Sequence, residues 1–266
     1  MRYRTTPSSV EGIFKAGKCA FIPYLMAGDP DLQTTAQLID ALRDARADAL
    51  ELGIPYGDPL ADGPTVAAAG IRALANGTGI EQVLETVHDA VARHAPPIVL
   101  FTYFNPVYQY GIERFARDAA KAGAAGVIVP DIALEEGAEL RSALKSHGLQ
   151  MPLLVAPSTP RERAARIAEA SSGFIYVVSR LGVTGAGSAP DFSPLRKQLQ
   201  MLREITKKPL AVGFGISKPE HVREVRELVD GVVVGSALID AYAGTRGEEA
   251  AARAREFCGV LKNAAV

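Results

Sequence analysis

The sequence predicts an α/β protein: a single-domain (β/α)8 TIM barrel over residues 1–266, with an extra N-terminal helix and long loops after the second and sixth strands. Three observations carry this expectation. Short, β-branched apolar runs recur eight times along the chain, each bounded by Gly, Pro, Asp or Ser. Segments with apolar residues at helical spacing separate them, and strands alternating with helices imply a parallel sheet. A length of 266 residues suits a closed barrel of this kind as one domain.

The expected strands are AFIPYL (20–25), ADALELG (47–53), PIVLFTY (97–103), GVIVP (126–130), PLLVAP (152–157), FIYVVS (174–179), PLAVGFG (209–215) and GVVVGSA (231–237). Between them, Leu38, Ile39 and Leu42 share a helical face, as do Ile80, Val83, Leu84, Val87 and Val91. Leu195, Leu199 and Leu202 repeat the spacing, and so do Val222 and Val225. A further helix is expected near 65–76, and Ser8 or Ser9 is a candidate cap for an N-terminal helix. An open doubly wound sheet is the competing architecture. It lacks its usual glycine fingerprint, because LMAGDPD after the first strand carries one glycine.

The chain is 48% apolar and 22% charged with a formal net charge of −1, and it shows no basic stripe. That composition supports a sizeable core and argues against nucleic acid or an anionic membrane as partner. No apolar run approaches the roughly 18–20 residues of a membrane helix. The start lacks the apolar core of a signal peptide, and two well-separated cysteines make no disulfide framework, so a cytoplasmic setting is expected.

Barrel enzymes work at the C-terminal ends of their strands. There, ALELGIPYGDPLADGPT (49–65) carries Glu51, Asp58 and Asp62 on a path stiffened by Pro55, Pro59 and Pro64. Strand alternation puts Leu50 and Leu52 on one face and Ala49 and Glu51 on the other, so Glu51 points into the barrel. An inward carboxylate in an apolar mouth has its pKa raised and suits acid/base work, although a buried structural ion pair would look the same. Asp58 and Asp62 each also fit turn chemistry.

GFGIS (213–217) and GSALID (235–240) close strands seven and eight. Glycines there let backbone N–H groups approach an anion, so Gly215, Gly235 and Ser236 form a candidate phosphate grip, with tight turns as the alternative. Tyr24, Phe101, Tyr103, Tyr176 and Phe214 supply aromatic surface at the mouth, suiting a flat apolar ligand. The loop RLGVTGAGSAPDFSP (180–194), with Gly182, Gly185 and Gly187, is a candidate lid. All four histidines fall on helices or their ends, and no lysine sits at a strand C-terminus. No metal, catalytic triad or Schiff base is expected.

FIPYLMAGDP (21–30), LELGIPYGDPLADGP (50–64), YFNPV (103–107), VPDIALEE (129–136), YVVSRLGVTG (176–185), GFGIS and VVVGSA (232–237) together resemble the tryptophan synthase alpha family nearly end to end. The resemblance implies cleavage of indole-3-glycerol phosphate to indole and glyceraldehyde 3-phosphate. By motif, Glu51 would be the acid/base, Asp62 would bind the indole N–H, and Tyr176 would lie beside them. Thr184 would order the lid by contacting Asp62. Gly185, Gly215, Gly235 and Ser236 would hold phosphate, while Tyr24, Tyr103 and Phe214 would shape the indole pocket. Pro55, Asp58, Asn105, Pro106 and Asp131 would face or signal to a beta subunit in an alpha-beta-beta-alpha heterotetramer. No cofactor is implied in this chain; the family's pyridoxal phosphate belongs to the beta subunit. Gly57 and Ala133 depart from the family pattern, where Ser and Pro are common.

Three other readings remain at this point. A stand-alone lyase releasing free indole would carry the same active-site motifs. Another phosphate-binding barrel enzyme, such as a sugar-phosphate isomerase, would share the glycine grip but not the Glu51/Asp62 pair. A non-catalytic barrel that activates its partner would have no need of either carboxylate.

Overall fold

The computed structural model describes residues 10–179, 192–213 and 215–265. Eight parallel strands run in the order β4-β3-β2-β1-β8-β7-β6-β5. They are β1 Ala20–Met26, β2 Leu50–Gly53, β3 Ile98–Phe101, β4 Gly126–Ile128, β5 Leu153–Val155, β6 Ile175–Val178, β7 Leu210–Gly213 and β8 Gly231–Val234. The ends of that order meet where Gly126 bridges Gln150 in parallel. Val127 N donates to the Gln150 carbonyl at 2.8 Å and Gln150 N to the Ala125 carbonyl at 3.2 Å, which closes the barrel. A Cβ on Gly126 would stand 2.6 Å from the Gln150 carbonyl oxygen, so the seam needs glycine there for space.

One helix of the outer ring follows each strand: α1 Leu32–Asp44, α3 Ile80–Ala92, α5 Ile112–Ala122, α6 Ala138–Ser146, α7 Arg161–Ala170, α8 Ser193–Ile205, α9 Pro219–Val225 and α11 Gly247–Ala265. The faces expected from helical spacing are the ones that pack: Leu38, Ile39 and Leu42 of α1, and Leu195, Leu199 and Leu202 of α8, are buried. Three more helices lie in the loops at the C-terminal ends of strands: α2 Pro64–Ala75 after β2, α4 Phe104–Tyr110 after β3 and α10 Ser236–Tyr242 after β8. The second of these was not expected, and its sequence explains why: only Val107 of FNPVYQY is buried, so no apolar period marks it.

Of the expected N-terminal helix, the described part is a single 3-10 turn, Val10–Ile13; Ser8 and Ser9 lie outside the described residues. The turn seals the barrel floor. Val10 N donates to Gln150 Oε1 at 3.0 Å, beside the β4–β5 seam, and the Phe14 ring meets Phe174 at 5.5 Å. Cys19 and Cys258 are buried free thiols. Among the described residues, no helix is long and apolar enough to cross a membrane.

Candidate active site

Strand register builds the mouth in layers. Tyr24 pairs with Glu51 and Glu51 with Val99, so these side chains share the barrel interior. Two residues further up, Met26, Gly53 and Phe101 form the next inward row. Gly53 is needed there: a Cβ would lie 2.2 Å from the Tyr24 hydroxyl. Gly213 makes the same room on the opposite wall, where a Cβ would lie 2.1 Å from the Tyr176 hydroxyl.

A cavity of about 110 Å³ opens above these layers. Its wall includes Glu51 and Asp62, with Tyr24, Phe101 and Tyr176 on the strands and Gly215, Gly235 and Ser236 after β7 and β8. Among the described residues, its charged lining groups are both acids. Glu51 is 2% exposed and its Oε1 has no hydrogen-bond partner. Burial, reinforced by the negative charge of Asp62, raises its pKa from 4.5 to about 8. Burial raises Asp62 to about 6, against a lowering hydrogen bond from Tyr103. At neutral pH the pair therefore divides into a protonated Glu51 and an ionised Asp62, two roles from one side-chain chemistry. Tyr24 and Tyr176 are pushed well above the ordinary phenol range by burial and then by these carboxylates, so both remain neutral hydroxyls.

Asp62 is held by local turns. Leu60 N donates to the Asp58 carbonyl and Asp62 N to the Pro59 carbonyl, both at 3.0 Å, and Pro64 starts α2 immediately beyond Gly63. Tyr103 fixes this loop from behind: its hydroxyl accepts from Ala61 N at 3.0 Å. A row of rings connects it to the cavity, with Tyr103–Phe101 at 6.4 Å and Phe101–Tyr24 at 5.9 Å. Tyr103 thus stands behind Phe101 and supports Asp62.

At the other end, Gly215 adopts φ +81°, a left-handed conformation that side chains disfavour, in the turn after β7. Gly235 precedes α10, and its carbonyl accepts from Leu238 N at 2.9 Å. Thr184, Gly185 and Phe214, with most of the candidate lid, lie outside the described residues. Three apolar wall residues were not singled out in the sequence: Val66 in α2, Ile216 after β7 and Val233 in β8. Their only sequence signal is apolar character, which core residues share.

The candidate partner-facing residues gather on the loops after β2, β3 and β4. Asp58, Asn105 and Asp131 are exposed, whereas Pro55 is buried. Asn105 Nδ2 donates to Tyr56 Oη at 3.3 Å, and Asp131 Oδ1 accepts from Phe104 N at 2.9 Å, at the start of α4. Leu60 and Tyr108 stand out of the same loops, 81% and 62% exposed. Among the described residues, no group of three or more His, Cys, Asp or Glu is placed to hold a metal ion.

Fold and mouth define the class: a (β/α)8 barrel with a cavity at the C-terminal ends of its strands, lined by two acids and by the glycine turns after β7 and β8. The family model described as "Tryptophan synthase alpha chain" matches residues 12–266. The chain is 49% identical over 251 residues to a tryptophan synthase alpha chain from Picosynechococcus sp., covering 94% of this chain and 95% of the relative. It is 44% identical over 260 residues to the one from Arabidopsis thaliana, covering 95% and 94%. Among solved structures, tryptophan synthase subunit alpha from Legionella pneumophila superposes with a TM-score of 0.87 at 34% identity, covering 96% of each chain. A chain of the aminoacrylate-bound tryptophan synthase from M. tuberculosis gives 0.86 at 33%, covering 97% of this chain and 100% of that one. The chain belongs to the tryptophan synthase alpha chain family.

Proposed function

We propose that this chain, folded as one domain over its full length, is an indole-3-glycerol-phosphate lyase working as the alpha subunit of a tryptophan synthase. The observation that carries the reading is the pairing of a fully buried Glu51 with a half-buried Asp62 in one cavity, where burial raises the pKa of both. Retro-aldol cleavage of this substrate needs a proton delivered to indole C3 and one removed from the glycerol hydroxyl next to the scissile bond. Glu51 performs both transfers. The hydroxyl's electrons form the aldehyde, the C–C pair returns to the ring, and the acid is regenerated with no net proton change. Asp62 accepts from the indole N–H and stabilises the positive charge of the C3-protonated ring, which an ionised carboxylate in a partly buried site does well.

Tyr24 and Phe101 flank the indole, Tyr176 lies beside the reacting groups, and Tyr103 keeps Asp62 in place. Gly215, Gly235 and Ser236 take the phosphate through backbone N–H groups and one hydroxyl, joined by Gly185; Thr184 and Phe214 complete the lid contact and the pocket. Backbone capture fits a lining in which, among the described residues, neither Lys nor Arg occurs. The chain uses no cofactor of its own. Its product indole passes to a beta subunit that carries pyridoxal phosphate, in a cytoplasmic alpha-beta-beta-alpha complex docked through Pro55, Asp58, Asn105, Pro106 and Asp131. The test is indole release from indole-3-glycerol phosphate by the purified chain, with and without a tryptophan synthase beta subunit. Weak activity that rises with beta supports the subunit reading. Full activity without response to beta supports the stand-alone lyase, and no indole in either case refutes the reaction.

A further inference from the structure

Away from the cavity, the turn after β1 holds a carboxylate as buried as Glu51. Asp29 is 1% exposed, and both its oxygens are taken by one guanidinium: Arg72 Nε lies 2.7 Å from Oδ1 and Arg72 Nη2 lies 2.9 Å from Oδ2. Arg72 stands in the last turn of α2, and one turn on Asn76 Nδ2 donates to the Pro30 carbonyl at 2.5 Å. The receiving turn is itself braced, since Gly28 N donates to Thr35 Oγ1 at 3.0 Å and Thr34 N to Asp31 Oδ1 at 2.6 Å. The C-terminal end of α2 is therefore fastened to the β1–α1 turn. Its N-terminal end follows Asp62 and Gly63 directly and puts Val66 into the cavity wall. Anchoring one end of this 12-residue helix sets where the other end, about 18 Å away, can place Asp62.

Helix α10 completes the arrangement. It begins at the cavity with Ser236, packs on both α2 and β1, and ends at Tyr242. Tyr242 is buried, its hydroxyl has no hydrogen-bond partner, and Asp29 and Arg72 are the charges that act on it. Asp29 is buried but the Arg72 side chain is half exposed, and an ion pair with one member in solvent contributes little net stability. What a bidentate pair supplies is fixed geometry. We propose that the Asp29–Arg72 pair and the packing of α10 on α2 form a positioning unit that links α10, which begins at Ser236, to α2, which begins beside Asp62, so that a phosphate seated at Ser236 orders the acid. This rests on the reading of Gly235 and Ser236 as the phosphate end.

The test uses the purified chain, glycerol 3-phosphate as probe, and two readouts: amide hydrogen exchange along Pro64–Ala75, and the kcat and KM for indole release. In the wild type, glycerol 3-phosphate should slow exchange in α2 severalfold. Arg72→Gln should keep the affinity for the probe within about twofold, lose that slowing, and drop kcat about tenfold with KM little changed, because small misplacements of catalytic groups cost rate rather than binding. Pairing it with Asp29→Asn should recover much of both readouts, since two amides restore a neutral hydrogen-bonded pair; a merely structural role would not give this split or this rescue. Where Arg72→Gln fails to fold, Arg72→Lys keeps the charge but loses the fork, and should show the same direction with a severalfold loss. Wild-type kcat and wild-type exchange behaviour in a folded Arg72 variant would overturn the coupling. A wild type that does not bind glycerol 3-phosphate would overturn the phosphate reading and the coupling together, whereas binding without any change in α2 would overturn the coupling alone.

Discussion

Glu51→Gln should make the protein more stable at alkaline pH while disabling it. Glu51 is 2% exposed, its Oε1 has no hydrogen-bond partner, and its pKa is raised from 4.5 to about 8. The folded state therefore holds this proton across a window in which the unfolded chain has released it. A raised carboxyl pKa leaves stability intact below pH 4.5 and erodes it as pH climbs toward 8, because the native state then binds more protons than the unfolded one. The slope approaches about 1.4 kcal/mol per pH unit and integrates to at most roughly 5 kcal/mol over the window. For a chain of this size that corresponds to a Tm change of roughly 3–5 °C per pH unit. Glutamine keeps the shape and neutrality of the protonated acid at every pH, and Asp62 is present in both proteins. The assay is calorimetric Tm for wild type and Glu51→Gln at intervals from pH 5 to pH 8. The two should nearly coincide at pH 5, with the variant pulling ahead as pH rises. Parallel curves, or a wild type that gains on the variant at high pH, would show that Glu51 is ionised and well paired in the folded state, and the acid/base assignment would lose its physical basis.

The same Glu51→Gln protein should lose about 10²–10⁴-fold in kcat for indole release, and unchanged turnover would sink the assignment. Tyr103→Phe removes the hydrogen bond that lowers the pKa of Asp62, so that pKa should rise above about 6 and the acidic limb of the kcat–pH profile should move to higher pH; an unmoved limb would show that Tyr103 does not tune Asp62. Gly213→Ala brings a methyl to 2.1 Å from the Tyr176 hydroxyl and 2.5 Å from its Cζ, so it should impair activity, with partial recovery in the double variant Gly213→Ala/Tyr176→Phe. Full activity in Gly213→Ala alone would mean that the phenol's position is unimportant. Gly126→Ala meets backbone rather than a movable side chain, with its Cβ 2.6 Å from the Gln150 carbonyl oxygen, and should cost stability by about 1–3 kcal/mol, read as a lower Tm. An unchanged Tm would show that the seam tolerates a shift.

Most of the barrel was legible because a parallel strand covered on both faces reads as an apolar run, and the chain holds eight of them. The runs overestimate length for the same reason. Ala47, Ala49 and Ile54 are buried on either side of β2, yet only Leu50–Gly53 carry the ladder. Glu51 stood out as a charge inside such a run. The walls did not stand out, since Val66 and Val233 have no feature that separates a cavity lining from a core. Tyr103 was read as pocket surface from its position at a strand end; its hydroxyl contact with the Asp62 loop depends on loop geometry and has no local sequence signal. The Asp29–Arg72 pair joins residues 43 apart in sequence, and neither carries a local signal of the other.

The segment after β2 concentrates three carboxylates because it passes through three environments over a few residues. Glu51 is on the strand, inside the barrel, where water cannot stabilise its charge, and it keeps its proton. Asp62 sits at the loop's return to the cavity, half-buried, with one hydrogen bond offsetting part of its desolvation, so it ionises near pH 6. Asp58, at the loop's outer reach, is exposed beside the protruding Leu60. Proton carrier, cation partner and outward-facing charge thus differ in burial, not in functional group. The prolines and the Tyr103 contact keep the two loop acids distinct, since a flexible loop would hydrate Asp58 and Asp62 alike. On this argument, changes that loosen the loop without touching a carboxylate should lower the pKa of Asp62 toward its ordinary value and let its position drift, so that kcat falls through lost geometry. Replacing Pro59 and Pro64 with alanine is the sharpest case: folding and cavity residues are kept, and the acidic limb of the kcat–pH profile should move to lower pH as kcat falls. If kcat falls while that limb stays in place, rigidity serves geometry alone and the gradient is held by the barrel.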